Sequence, residues 1–531
     1  MKRLQIPLLV IVIALSATLA YATLTFGHLW GDDFASYIMQ AASITGGSMD
    51  EFVRRNTFTM ENSSYPVGPV AYPWGYPLLL APVYALRGVM PLALKMVNLP
   101  AFAVFLAAYF FFLKRRVSGW ESLLLVAAFA FNATFLSYHD QIISDIAFTA
   151  VSTLALWSLD RTAFDGSPKR GWGILAGALI FSAYFLRTVG ILLLAALLVY
   201  RGYKLLAAPM AGDGNGLQSS EAREESLGGE GIPFAKFKNL RALRAFAVKN
   251  PTISKRAKLL PEIWPFVTFA LLWILASLVF PSGEGSYFSH YGLFDYGQRL
   301  RENFVAYFSM GAEFFDGLPA RTVVYGLALA FFLIGFVHAP ETDLVAKLYF
   351  AATMLLYLTW PEPQGIRFLF PLLPVFVYFS FLGMKASFFG LSARYRQMGL
   401  VLTYAFWGAV VAFMLLASAN QALANLGNAR DIKGPFDPFA REMVNFVEAT
   451  IPQDSVIVFF KPRAMRLLTG RDSILMDRCE DLDRGDYVIL DLDRGEYADV
   501  HQLTPGQVKK CGLPVTNIFE NRKFLVFRLE K

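Results

Sequence analysis

Trp30-Gly31-Asp32-Asp33-Phe34 follows the first apolar run by a few residues, and its reading decides the rest of the chain. Adjacent carboxylates at the mouth of a membrane helix are costly to place unless they face water or carry out chemistry. Behind them Phe34, Tyr37, Ile38 and Ala41 recur at helical spacing, so the aspartates open an interfacial helix lying along the membrane. A second acidic stretch, His139-Asp140-Gln141-Ile142-Ile143-Ser144-Asp145, interrupts two later apolar runs. Whether the two stretches meet depends on topology.

The 531 residues are 55% hydrophobic and 17% charged, with a mean hydropathy of +0.44. Soluble domains carry about 25% charged residues, and a bilayer helix needs about 20 apolar ones. The chain therefore reads as a polytopic α-helical membrane protein. Its net charge of +7 sits between apolar runs, a positive-inside pattern and not a nucleic-acid surface. Lys2 and Arg3 put the N-terminus in the cytoplasm, and the run that follows reaches about Leu24. That exceeds the roughly 7–15 residues of a signal-peptide core, so it reads as an uncleaved first helix.

About eleven spans follow, at 5–26, 92–113, 120–138, 141–159, 172–186, 188–200, 262–281, 321–339, 344–360, 367–386 and 397–418. The apolar segment 74–90 is short and opens on prolines and aromatics. Were it to cross, Lys114-Arg115-Arg116, Arg201, Lys204 and the basic run 236–258 would lie outside, so it reads as a re-entrant or juxtamembrane helix. Both acidic stretches, Arg187 and the links 282–320 and 361–366 then share the outer face. Residues 211–231, rich in Gly, Ser and Glu, read as a flexible link. The basic 232–261 reads as a positive-inside anchor or an amphipathic helix on anionic lipid.

After the transmembrane domain, 1–418, the composition changes. Asp437 and Pro438 suit the N-cap and first position of a helix. Val456-Ile457-Val458-Phe459-Phe460, Tyr487-Val488-Ile489-Leu490 and Phe524-Leu525-Val526-Phe527 read as strands. Residues 419–531 form a small extracytoplasmic α/β domain. It holds Cys479 and Cys511, a disulfide or two separate thiols.

On the outer face Asp32, Asp33 and Asp145 would converge, as suits a general base beside a metal or a cationic group. Arg187 and Arg367 lie at helix ends, Arg299 and Arg301 in the 282–320 link, and Arg54 and Arg55 in the first loop. Guanidinium groups bind phosphate bidentately. His28, His139 and His290 fall on this face too, but without metal-ligand spacing. There is no phosphate-binding glycine loop, dinucleotide fingerprint, hydrolase triad motif or internal repeat.

In this order and on one face, these elements resemble the GT-C glycosyltransferases, multi-span enzymes that use polyprenyl-phosphate-linked sugars. The likeness covers nearly the whole chain and is to the bacterial branch related to protein O-mannosyltransferases and the lipid A aminoarabinose transferase. It rests on Asp32-Asp33 with Tyr37, on Tyr72-Pro73-Trp74-Gly75-Tyr76-Pro77 and on Ser144-Asp145-Ile146. Arg187-Thr188-Val189-Gly190, Arg367-Phe368-Leu369-Phe370-Pro371 and Lys461-Pro462-Arg463 with Thr469-Gly470-Arg471 complete it. The acidic pair departs from the commoner Asp-Glu, and the proline-rich motif lacks the lysine many relatives carry.

The resemblance implies inverting transfer of a sugar from a polyprenyl-phosphate donor to an acceptor hydroxyl or phosphate on a lipid, glycan or protein. The reaction would occur at the periplasmic face of the inner membrane. Asp32 would be the base, with Asp33 orienting the acceptor or binding a metal and Asp145 holding a metal or sugar hydroxyls. Arg187 and Arg367, with Arg299 and Arg301, would stabilise the departing phosphate. Tyr37, Tyr72, Trp74, Tyr76, His139 and Asp140 would surround the substrate. A divalent metal is an open possibility, and no nucleic acid is implied. The alternatives are a transporter or lipid flippase, and a GT-C ligase that uses a pyrophosphate-linked glycan.

Overall fold

The computed structural model describes residues 4–64, 68–163, 170–207, 263–282, 296–361, 363–388, 392–428, 430, 432–493 and 501–531. The link 211–231, the basic run 232–261 and His290 lie outside them.

The chain is a multi-pass helical membrane protein. All eleven apolar runs are helical among the described residues. Among the described residues, five helices have the length and hydropathy to cross a bilayer alone: Gln5–Thr23, Pro91–Leu113, Thr188–Leu206, Arg321–His338 and Ala393–Gly427. Gly119–Ala130 and Ala133–Asp140 make a sixth if taken together, bent by 49° at the break. The other expected spans are shorter or more polar helices, such as Asp145–Ala163 and Leu373–Ala386.

In chain order the first helices are α1 (Gln5–Thr23), α2 (Asp32–Gly46), α3 (Met49–Asn62), α4 (Gly75–Arg87), α5 (Pro91–Lys95), α6 (Asn98–Leu113), α7 (Gly119–Ala130), α8 (Ala133–Ser137), α9 (Asp145–Ala163), α10 (Arg170–Leu186) and α11 (Ile191–Ala207). The thirteen residues of α4 are fewer than the roughly 20 a bilayer helix needs. Trp74 at its start donates to the Pro281 carbonyl at 3.0 Å. Lys95, at the end of α5, reaches the Thr25 and Gly27 carbonyls beyond α1. Both ends of the segment therefore sit at one end of the bundle.

The opposite end is tied by buried charge. Arg116, beyond α6, pairs with Asp160 late in α9 and with Asp343 before the helix Leu344–Leu358. Tyr378 donates to Asp343 at 2.8 Å, and Lys385 pairs with Glu121 at 2.6 Å. Buried charges are tolerated when paired and hydrogen-bonded in this way. Between the ends, helices Arg321–His338 and Leu373–Ala386 cross backbone to backbone at Gly335 and Gly383. A Cβ on either glycine would overlap the carbonyl of Phe379 or Phe331. Small residues at such crossings let membrane helices approach closely.

The C-terminal region is built on a five-stranded mixed sheet in the order β2-β1-β3-β5-β4. β1 (Val456–Val458) pairs in parallel with β2 (Asp472–Ile474) and β3 (Tyr487–Asp491). β5 (Phe524–Leu529) pairs antiparallel with β3 and with β4 (Val515–Glu520). Asp437 caps the helix Pro438–Thr450, its side chain accepting the Ala440 N–H at 2.9 Å, and Pro438 occupies the first turn. The Cys479–Cys511 disulfide is formed. The β2 edge is covered by α3, where Arg55 bonds Asp472 at 2.8 Å and Thr59 donates to the Ser473 carbonyl at 2.9 Å. Covering an edge in this way removes a template for unwanted strand pairing.

Candidate active site

α1 ends at Thr23, and the extended loop 24–31 delivers Asp32 and Asp33 to the first turn of α2. The same end of the bundle receives Asp145 at the start of α9, Arg187 between α10 and α11, and Arg367 in the short turn Ile366–Leu369. Five charged residues from four separate stretches thus meet at one end.

They meet as pairs. Arg367 Nη1 lies 3.1 Å from Asp33 Oδ2 and is steadied by the Gln364 side-chain oxygen at 3.0 Å. The Tyr72 hydroxyl donates to Asp33 Oδ1 at 2.6 Å. Arg187 pairs with Asp145, and its guanidinium lies 4.8 Å from the Phe368 ring centroid. Tyr37, packed against Tyr72 and Tyr76, shares a 3.1 Å hydrogen bond with Ser144 and so joins α2 to the turn before Asp145.

The two adjacent aspartates have different surroundings. Asp32 is buried at the N-terminus of helix Pro462–Thr469, where Oδ1 accepts the Arg463 N–H at 3.0 Å and Lys461 stands 3.9 Å from Oδ2. A helix start offers unpaired N–H groups to a carboxylate. Burial outweighs these contacts and raises the Asp32 carboxyl above its ordinary value. Asp33 has a side chain 34% exposed. Burial acts to raise its pKa too, but Arg367 and the Tyr72 hydroxyl prevail and hold it below the ordinary carboxylate value. The accessible groups are Asp33, Arg367 and Arg187, the arginines being 22% and 19% exposed, while Asp145 is buried.

Other expected site residues lie elsewhere. His139 is fully buried, bonded through Nδ1 to the Phe135 carbonyl at 2.9 Å and set edge-on to Phe102 of α6. The tight turn Tyr138–Asp140 swings His139 and Asp140 away from Asp145. Asp140 pairs with Lys95 at 2.6 Å and accepts the Thr25 N–H at 2.6 Å. Trp74 packs between Phe52 and Phe280, and the buried Tyr76 bonds Asn98 at 3.2 Å. The link expected at 282–320 contains the helix Tyr296–Met310, on which Arg299 pairs with Glu302 at 3.7 Å and Arg301 is exposed. Arg54 is exposed and pairs with Glu51 at 2.6 Å.

Among the described residues, no group of three His, Cys, Asp or Glu side chains is gathered to hold a metal. The three aspartates face different cations, so they do not fit a shared ion.

Sequence reasoning overlooked Lys95, and also Tyr138, Tyr307 and Tyr357, which lie within electrostatic reach of Arg187 or Arg367. Lys95 follows an apolar run and reads as an ordinary interfacial lysine. The tyrosines carry no local signal.

No protein-family model matches the chain, and no curated protein matches it in sequence. Solved structures do match in fold. ArnT from Cupriavidus metallidurans bound to undecaprenyl phosphate aligns at a TM-score of 0.53 and 12% identity, covering 98% of this chain and 97% of that one. The archaeal oligosaccharyltransferase AglB from Archaeoglobus fulgidus, in complex with an inhibitory peptide and a dolichol-phosphate, aligns at 0.52 and 10% identity. That match covers 93% of this chain and 70% of the archaeal one. The chain has the GT-C fold.

Proposed function

We propose that this protein is an inverting glycosyltransferase that moves a sugar from a polyprenyl phosphate to an acceptor hydroxyl or phosphate at the outer face of the cytoplasmic membrane. The observation that carries the reading is the pair of arginines, Arg187 and Arg367, partly open at one end of the bundle and each held by an aspartate. ArnT and AglB share the fold and were solved with undecaprenyl phosphate and dolichol-phosphate respectively, which supports a lipid-phosphate donor here.

In this reading the donor phosphate takes the place of Asp33 and Asp145 as the arginines' partner. Neutralising Arg367 raises the proton affinity of Asp33 as the substrate arrives. Asp33 then takes the acceptor proton, the acceptor oxygen attacks the anomeric carbon, and the sugar–phosphate bond breaks. The bonding electrons leave with the lipid phosphate, whose charge the two guanidiniums stabilise. The sequence points to Asp32 as the base. Its burial against helix Pro462–Thr469 leaves it little access to an acceptor, so the more open Asp33 is the base and Asp32 seats the C-terminal region.

A transporter would place its charges at the bilayer midplane between repeats, whereas these charges collect at helix ends. The test is binding of undecaprenyl phosphate to purified protein. Arg187→Ala and Arg367→Ala should each weaken it by about tenfold or more, the effect of losing a charge-assisted contact. Equal affinity in wild type and both variants would remove the donor site.

A further inference from the structure

We infer that Lys95 and Asp140 are positioning residues of the proposed transferase, forming a clamp that sets the two acidic loops against each other. The inference rests on the glycosyltransferase reading for its catalytic meaning and on the geometry alone for the clamp.

Loop 24–31 carries Asp32 and Asp33, and loop 138–144 leads into Asp145. Neither is helix or strand throughout, so side chains must hold both. The Lys95 side chain is fully buried. Its ammonium donates to the Gly27 carbonyl at 2.5 Å, the Thr25 carbonyl at 3.2 Å and the Thr25 hydroxyl at 3.0 Å on one loop, and pairs with Asp140 at 2.6 Å on the other. Asp140 closes the ring by accepting the Thr25 N–H at 2.6 Å and its hydroxyl at 2.8 Å. His28 makes a second tie, accepting the Ile142 N–H on Nε2 at 3.0 Å while Nδ1 donates to the Leu29 carbonyl at 2.7 Å. From α6, Asn98 donates to the Gln141 carbonyl at 2.8 Å.

None of these groups reaches Asp33, Arg187 or Arg367 among the hydrogen bonds and ion pairs described. Their action is on spacing. Asp33 and Asp145 come from loops more than one hundred residues apart in sequence, and a misplacement of about 1 Å can cost about a hundredfold in rate.

The test compares full-length wild type with Asp140→Asn and with the double variant Lys95→Met/Asp140→Leu. The double variant exchanges the ion pair for apolar groups, so it keeps the question open if the single variant fails to fold. Amide exchange should accelerate about tenfold or more in both loops, 24–31 and 138–144, while α6 and α9 stay unchanged. Turnover should fall about 10- to 100-fold, with undecaprenyl phosphate affinity held within about threefold. Exchange that is unchanged, or faster in one loop only, overturns the clamp. Turnover and affinity falling together, or turnover unchanged with both loops loosened, overturns the positioning role. If wild type transfers no sugar at all, the functional reading fails while the exchange measurement still decides the clamp.

Discussion

Replacing Asp33 by Asn should tighten donor-lipid binding while stopping transfer. Asp33 is Arg367's anionic partner at 3.1 Å in the free protein, so a donor phosphate has to displace a carboxylate before it can bind. At an effective dielectric of about 20, opposite unit charges at that separation attract by about 5 kcal/mol. With the side chains 22% and 34% exposed, screening brings the useful part down to about 1–2 kcal/mol. Removing the charge should therefore raise undecaprenyl phosphate affinity about tenfold. Tyr72→Phe provides the control, since it deletes the 2.6 Å hydrogen bond and leaves the charges in place; its affinity change should be small. In the background of Arg367→Ala the gain from Asp33→Asn should vanish, because the released partner is gone. Affinity can be read by titration in nanodiscs and turnover by release of the lipid phosphate. Unchanged or weaker binding in a well-folded Asp33→Asn protein would refute the exchange of partners, and retained turnover would refute Asp33 as the base.

Asp32→Asn keeps an acceptor for the Arg463 N–H, so it should fold and lose less than about tenfold in turnover; complete loss, measured beside Asp33→Asn, would return the base to Asp32. His28 is buried with both ring nitrogens bonded, and burial lowers its pKa from 6.5 to about 4. Between those values the unfolded chain binds more protons, so stability rises with pH; the contribution is complete above about 6.5 and lost as pH falls toward 4. The difference is worth about 3 kcal/mol, about 2 of it gone by pH 5, and the gap in thermal stability between pH 7 and pH 5 should shrink in His28→Gln. The Cys479–Cys511 bridge spans 32 residues, so Cys511→Ser should destabilise the C-terminal region by about 3–4 kcal/mol in denaturant unfolding.

What could be read from the sequence follows from which interactions are local. Hydropathy located the five described helices that are long and apolar enough to cross a bilayer, because it acts through the membrane as solvent. Asp437-Pro438 announced its helix start through its own backbone. β1, β3 and β5 are central, apolar strands and were legible. β2, three residues long, and β4, a partly exposed edge, were not. At the site, the residue types and their common end were legible, but their partners were not. Asp33 meets Arg367 across more than three hundred residues, and nothing local encodes that pairing. Proximity in sequence misled for His139 and Asp140, since one turn of 3-10 helix sends them toward α1 and α6. Arg299 and Arg301 read as loop residues because their segment lacks an apolar run, but it folds as a helix.

The central claim is that a lipid phosphate binds between Arg187 and Arg367. A structure of the full-length protein with undecaprenyl phosphate tests it most directly. The account predicts a phosphate within hydrogen-bond distance of both guanidiniums, with Asp33 and Asp145 released from them and the prenyl chain running outward along the helices. A phosphate bound elsewhere, for example beside Arg116 at the opposite end, or both ion pairs intact with the lipid bound, would contradict it.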